Sequence, residues 1–326
     1  MPERASISQV VQIGVESTSG TAVAANKKLL ATLIEPSIQT AVKMFRPLGG
    51  KYATVGAQSK EWAAAKVSGQ MVYTDVVYHL SSIMNYAAPV QQGATAAYQW
   101  TFTPGQATED TAKTYTVEMG SAARAHKMAY GIFDSWGYAF SRDEVSVKGS
   151  MLGQKITDGI TLTSSPTEIA LQPVLPTEIS VYLDATAGGI GTTKLSRVFS
   201  GDYQLDSKVG AVWPVDAAQG SFAAHVETEP KAQLKLLVAA DSVGMGLLTN
   251  MRAGDKRFIQ IKAVGPIIAS SYTWLFQHSI CGIVSGVSEF KDQDGVYAIE
   301  WTFDQTYDAG WAKASQILVN NTLTAL

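Results

Sequence analysis

The chain has 326 residues, 46% of them hydrophobic and 16% charged, and a formal net charge of −3. That balance excludes a disordered or strongly solvated chain and provides no basic footprint for gripping nucleic acid. The lone cysteine, Cys281, excludes an intramolecular disulfide and is expected to be a buried thiol in a protein assembled in a reducing cytosol.

Taken in chain order, residues 1–35 form a mixed segment in which polar positions surround Val10, Val11 and Ile13, read as an N-terminal arm that orders on contact with a neighbour. Its start lacks a basic region followed by a continuous apolar core. No stretch anywhere approaches the roughly 18 apolar residues of a spanning helix, so neither secretion nor membrane insertion is expected. Residues 49–62 are a polar, glycine-bearing excursion, and 66–74 (KVSGQMVYT) read as a strand. Asp75 follows as a helix N-cap, with Val76, Leu80, Ile83 and Met84 at the spacing of one apolar face. A strand from Lys113 and a hairpin come next, the hairpin turning through Arg142, Asp143 and Glu144. Residues 164–176 carry three prolines, and the boundary between domains is placed near Pro176 because EISVYLDA already alternates like a first strand.

The second half repeats that order. A second excursion, 202–213, precedes the strand AQLKLLVAA, which ends at Asp241, a second helix cap. Gly244 and Gly246 weaken the following helix by up to about 1 kcal/mol each relative to alanine, and Gly254 stands where a C-terminal cap is wanted. A strand from Lys256 and a hairpin turning through Asp292, Gln293, Asp294 and Gly295 complete the second copy. The expected fold is therefore mainly β, a β-rich α+β protein. It comprises an arm at 1–35 and two tandem β-sandwich or half-barrel domains at 36–175 and 176–326, each flanked by a short helix.

Chemistry-bearing motifs are weak. The run GGIGTTK (188–194) has Thr193 and Leu195 where a phosphate loop needs Gly and Ser or Thr around its lysine, so it reads as a surface turn. His79, His126, His225 and His278 lie singly, without the spacing of metal ligands. His225 shares a strand face with Glu227 and Glu229, which reads as an exposed polar face, and His278 lies three residues from Cys281 without forming a dyad on a strand. The seven tryptophans are spread along the chain as core or interface anchors rather than as a sugar or base platform. No catalytic, cofactor-binding or metal-ligating residue is expected, and no cofactor.

The opening VVQIGVESTSGTAVAANKKL, with FRPLGGKYATVG, KEWAAAKVSGQMVYTDVVYHL and GSFAAHVETEP, resembles the major tail tube proteins of long-tailed, non-contractile phages. The resemblance implies β-sandwich subunits flanked by a helix, closing into rings that stack as a conduit for DNA. It further implies location in the virion tail after assembly in the host cytoplasm, other tail proteins as partners, and a lumen through which DNA passes without specific binding. Two tube-forming domains in one chain suggest three copies per pseudo-sixfold ring where a single-domain relative uses six; a hexameric ring is the alternative. Gly49, Gly50, Lys51, Tyr52, Gly56 and Lys60 from the first excursion, and Asp202, Tyr203, Asp206, Lys208 and Trp213 from the second, are then candidates to reach neighbouring rings. From a different class, a β-sandwich virion module binding a receptor or carbohydrate through aromatics and loops is the alternative function.

Overall fold

A computed structural model describes residues 8–216 and 220–326. Among them are twenty-one β-strands and only two α-helices, so the protein is mainly β. The strands form because short-range alternation is sustained: in Lys231–Ala239, Leu234, Leu236 and Val238 are buried, while Gln233 and Lys235 face outward.

In the first half, Thr32–Phe45 pairs with Val55–Gln70, which pairs with Val145–Gly153, which in turn pairs with the C-terminal part of the long strand Arg124–Phe140. The N-terminal part of that long strand pairs with Tyr115–Ser121 and Ile156–Ile160, and Tyr115–Ser121 also pairs with Val10–Val15. One strand thus runs through both layers of a sandwich. In the second half, Val198–Asp206 pairs with Lys231–Ala239, that strand with Val296–Gln305, and that with the end of Tyr272–Val287. The start of Tyr272–Val287 pairs with Lys256–Ala269 and Ser315–Asn321, and Lys256–Ala269 with Ile179–Asp184. All these pairings are antiparallel and follow the same order in both halves. Each long strand also carries a bulge at the same point of this order, between Phe133 and Ser135 and between Val284 and Gly286.

The helices occupy matching places, α1 (Asp75–Ile83) against Arg124–Phe140 and α2 (Ser242–Ala253) against Tyr272–Val287. The amphipathic helix expected after Asp75 is instead buried on every side, because strand Tyr98–Phe102 covers its other face. Asp75 is not its cap. Thr74 holds that position without a side-chain cap bond, and Asp75, one residue inside, accepts from the Ala31 amide and the Thr32 hydroxyl, both at 3.1 Å. A helix start pressed against 31–32 brings those donors closer than its own amides. Asp241 does cap α2, accepting from Val243 and Gly244 N at 3.0 Å, and Gly254 ends that helix at φ 69°. Gly244 is required rather than merely tolerated, since a Cβ there would lie 2.1 Å from the Ala239 carbonyl oxygen.

The segment read as an arm is built into the sandwich from Val10 onward. Val10–Val15 lies between Tyr115–Ser121 and Lys27–Leu29, with Val11 and Ile13 buried. Glu16 comes next, its carboxylate accepting from Gly20 N, Thr114 and Thr116 hydroxyls and Tyr130 N at 2.8–2.9 Å, which ties this segment to the core. Residues 1–7 of the expected arm lie outside the described residues.

Candidate assembly surfaces

The two halves meet where residues 201–205 of Val198–Asp206 pair antiparallel with Trp136–Phe140. This joint extends the sheet of one half into the other, so eight strands, four from each half, run in a continuous ladder from Thr32–Phe45 to Tyr272–Val287. On its core side Tyr138 packs 5.6 Å from Tyr203 between ring centroids, and both rings meet the fully buried His278. Burial without an ion partner lowers the pKa of His278 to about 3, so the joint is closed by a neutral imidazole hydrogen-bonded to the Tyr138 hydroxyl at 3.0 Å. On the opposite face, Lys148 reaches Asp202 at 2.7 Å. It spans the intervening strand because Gly137 and Ala139 are small there.

That opposite face is polar and carries both signs of charge: Lys66, Lys148, Lys231 and Lys235 stand with Glu35, Asp202, Asp206, Glu300 and Asp304 among Ser68, Ser146, Ser150, Gln204 and Thr302. Both ends of the ladder are open. Among the described residues no strand pairs with the outer edge of Thr32–Phe45, nor with the outer edge of the chain beyond Val284. The corresponding registers place Ile34 to Ile38 where Gly201 to Leu205 lie, and Val287 where Trp136 lies; residues 288–290 leave the strand, and beyond them a one-residue shift puts Asp292 where Phe140 lies. The two open edges therefore correspond to the two sides of the joint that is already made. Pro36, opposite Ala65 as Tyr203 is opposite Leu234, has no N–H and would take one donor from such a ladder.

The first excursion is the end of a protruding hairpin. Gly49, at φ 75°, Gly50, Lys51 and Tyr52 form its tip, Gly56 and Lys60 lie on the returning strand, and Leu48 and Tyr52 are 105% and 77% exposed. Ile38, Val42, Met44, Phe45 and Val55 add exposed apolar surface along it. The second excursion is not a free loop. Asp202, Tyr203 and Asp206 belong to the joint strand, Tyr203 is completely buried, and Lys208 is enclosed between Asp110 and Glu227. Trp213 packs edge-on to Trp62 at 5.7 Å with Lys60 over its ring, and near Phe222. Beyond Asp206 this segment folds back on the first half, so its residues are spent on contacts within the chain.

Other motifs are structural. The amides of Gly191, Thr192 and Thr193, which a phosphate would need, all point to the Asp184 carboxylate. Those bonds overcome burial and hold its pKa below the usual carboxylate range. His225 bonds the Tyr130 hydroxyl at 3.0 Å, and Cys281 is fully buried, its thiol pushed up to about 11 by desolvation. No protein-family model matches the chain, and no curated protein matches it. Among the described residues no helix is long and apolar enough to cross a membrane.

Proposed function

We propose that this protein is a self-assembling structural subunit whose copies join edge to edge into a closed ring, and that the rings stack as a phage tail tube. The single observation that carries the reading is the joint between the halves, whose two sides recur as unpaired edges at the ends of the eight-strand ladder. An edge of this kind is a template for another strand, and a ring is the arrangement that leaves none exposed. A head-to-tail contact repeats the same rotation at every step. If the two halves are equivalent turns of that rotation, three copies, each with eight strands, make a pseudo-sixfold ring of three times eight strands. The polar face, with charges of both signs and no basic surplus, then lines the lumen, where a basic surplus would hold DNA phosphates through released counterions.

The test is negative-stain imaging and sedimentation of the purified chain alongside a variant with Ile38→Pro, which, two residues from Pro36 and with an exposed side chain, removes a further N–H from the same open edge without touching the core. Rings or tubes with threefold chain symmetry that are lost in the variant support the reading. A monomeric wild-type chain at high concentration contradicts it.

A further inference from the structure

Lys208 is a buried lysine held by two carboxylates. Its side chain is 5% exposed and that of Asp110 3%, while Glu227 is 23% exposed. The ammonium nitrogen lies 2.8 Å from Asp110 Oδ2 and in direct contact with Glu227 Oε1. Asp110 comes from the first half and Lys208 from the second, 98 positions later.

Every part of this cluster is anchored. The Asp110 amide donates to Glu227 Oε2 at 2.7 Å, and its Oδ1 accepts from Gly105 N at 2.7 Å. Lys208 is fixed through its own backbone, its N–H donating to the Asp134 carbonyl at 3.1 Å and its carbonyl accepting from Thr228 N at 3.0 Å. Ile83, Ala112 and Val209 supply apolar walls beside a cavity of about 40 Å³, room for one water. Lys208 and Asp110 are thus a cation and an anion shut away from solvent, with Glu227 at the rim, and charges so enclosed have lost the hydration they have in water.

We propose that Lys208 and Asp110 condense to an isopeptide bond, with Glu227 as the proton carrier, stapling the two halves covalently. Glu227 takes a proton from the Lys208 ammonium, freeing its lone pair. The Nζ attacks Cγ of Asp110, an N–C bond forms, a C–O bond breaks, and the protons delivered to the departing oxygen release one water. Ammonium plus carboxylate become amide plus water, so atoms and charge balance and no oxidant or external reactant is needed. The products remove two buried charges, and the fixed contact supplies the orientation that makes an intramolecular attack fast. Neither ring formation nor any tube is required for this step.

The measurement is the intact mass of the purified, folded full-length chain after denaturation. The expected result is the sequence mass less one water, with a branched tryptic peptide joining the segment containing Asp110 to that containing Lys208, and the full sequence mass in E227Q. The full sequence mass in the wild-type chain overturns the proposal whatever the variant does. Loss of water in E227Q overturns the role given to Glu227.

Discussion

The helices α1 and α2 stand at the same place in two halves that share their strand pairings, yet one is sealed and the other lies on the surface. All nine residues of α1 are buried, whereas in α2 only Gly244 and Leu247 are. The difference originates in the segment C-terminal to each helix. Between α1 and the next major strand, Tyr115–Ser121, the chain inserts some thirty residues that include Tyr98–Phe102; between α2 and Lys256–Ala269 there are only Gly254 and Asp255. Equivalent backbone position does not fix a helix's environment. An inserted cover does, and it changes which residues matter: packing and buried polar bonds in α1, caps and propensity in α2.

Leu80→Ala in α1 removes a fully buried side chain. It should cost about 2–5 kcal/mol in denaturant unfolding, against less than about 1 kcal/mol for the partly exposed Leu248→Ala in α2. Comparable losses would mean that the inserted cover does not set the environment of α1.

Acid is the second probe. His79 in α1, like His278 at the joint, is buried and has its pKa lowered to about 3 by desolvation. The folded value lies below the unfolded value of about 6.5, so the unfolded chain binds more protons between the two. Stability is therefore complete above about pH 6.5 and falls as pH drops toward 3, by up to about 1.4 kcal/mol per pH unit for each histidine. Melting temperatures from pH 7 to 4 should show the fall, and His79→Gln should flatten it while no substitution in α2, which has no histidine, does so.

Smaller effects belong to α2. Asp241→Ala should cost about 1 kcal/mol by removing the cap that serves Val243 and Gly244. Gly246→Ala should stabilise by up to about 1 kcal/mol, because its Cβ would meet nothing within 4 Å, whereas Gly244→Ala should destabilise by crowding the Ala239 carbonyl. Opposite signs for two glycines two residues apart, read by thermal unfolding, would place the close approach at Gly244 alone.

The same contrast explains how much of the fold is legible in the sequence. The order strand, helix, strand and hairpin is readable in both halves because alternation, Gly254 and the turn at Gly295 are local signals. Asp75 and Asp241 carry the same letter before the same kind of segment, and nothing local distinguishes a cap from a carboxylate that turns back to Ala31 and Thr32. The second part of the strand Val198–Asp206, from Asp202 on, reads as the start of an excursion because Asp202, Gln204 and Asp206 are polar. Burial at Gly201, Tyr203 and Leu205 shows that a period of two is present. The arm misleads for a similar reason, since the partners of Val10–Val15 lie about a hundred residues away at Tyr115–Ser121. The cluster of Lys208, Asp110 and Glu227 leaves no signal at all in the sequence, because its members come together only when the second half folds back on the first.

Open edges that complete each other as the two halves already do can be trapped by a disulfide in the transferred register, with Ile38→Cys and Val287→Cys in a Cys281→Ser background. These exposed positions correspond to Leu205 and Trp136, which are paired at the joint. Under mild oxidation the predicted result is a ladder of linked chains ending at a closed trimer, with neither single variant giving more than traces. An oxidised double variant that stays monomeric, or links equally well through either cysteine alone, would contradict the account.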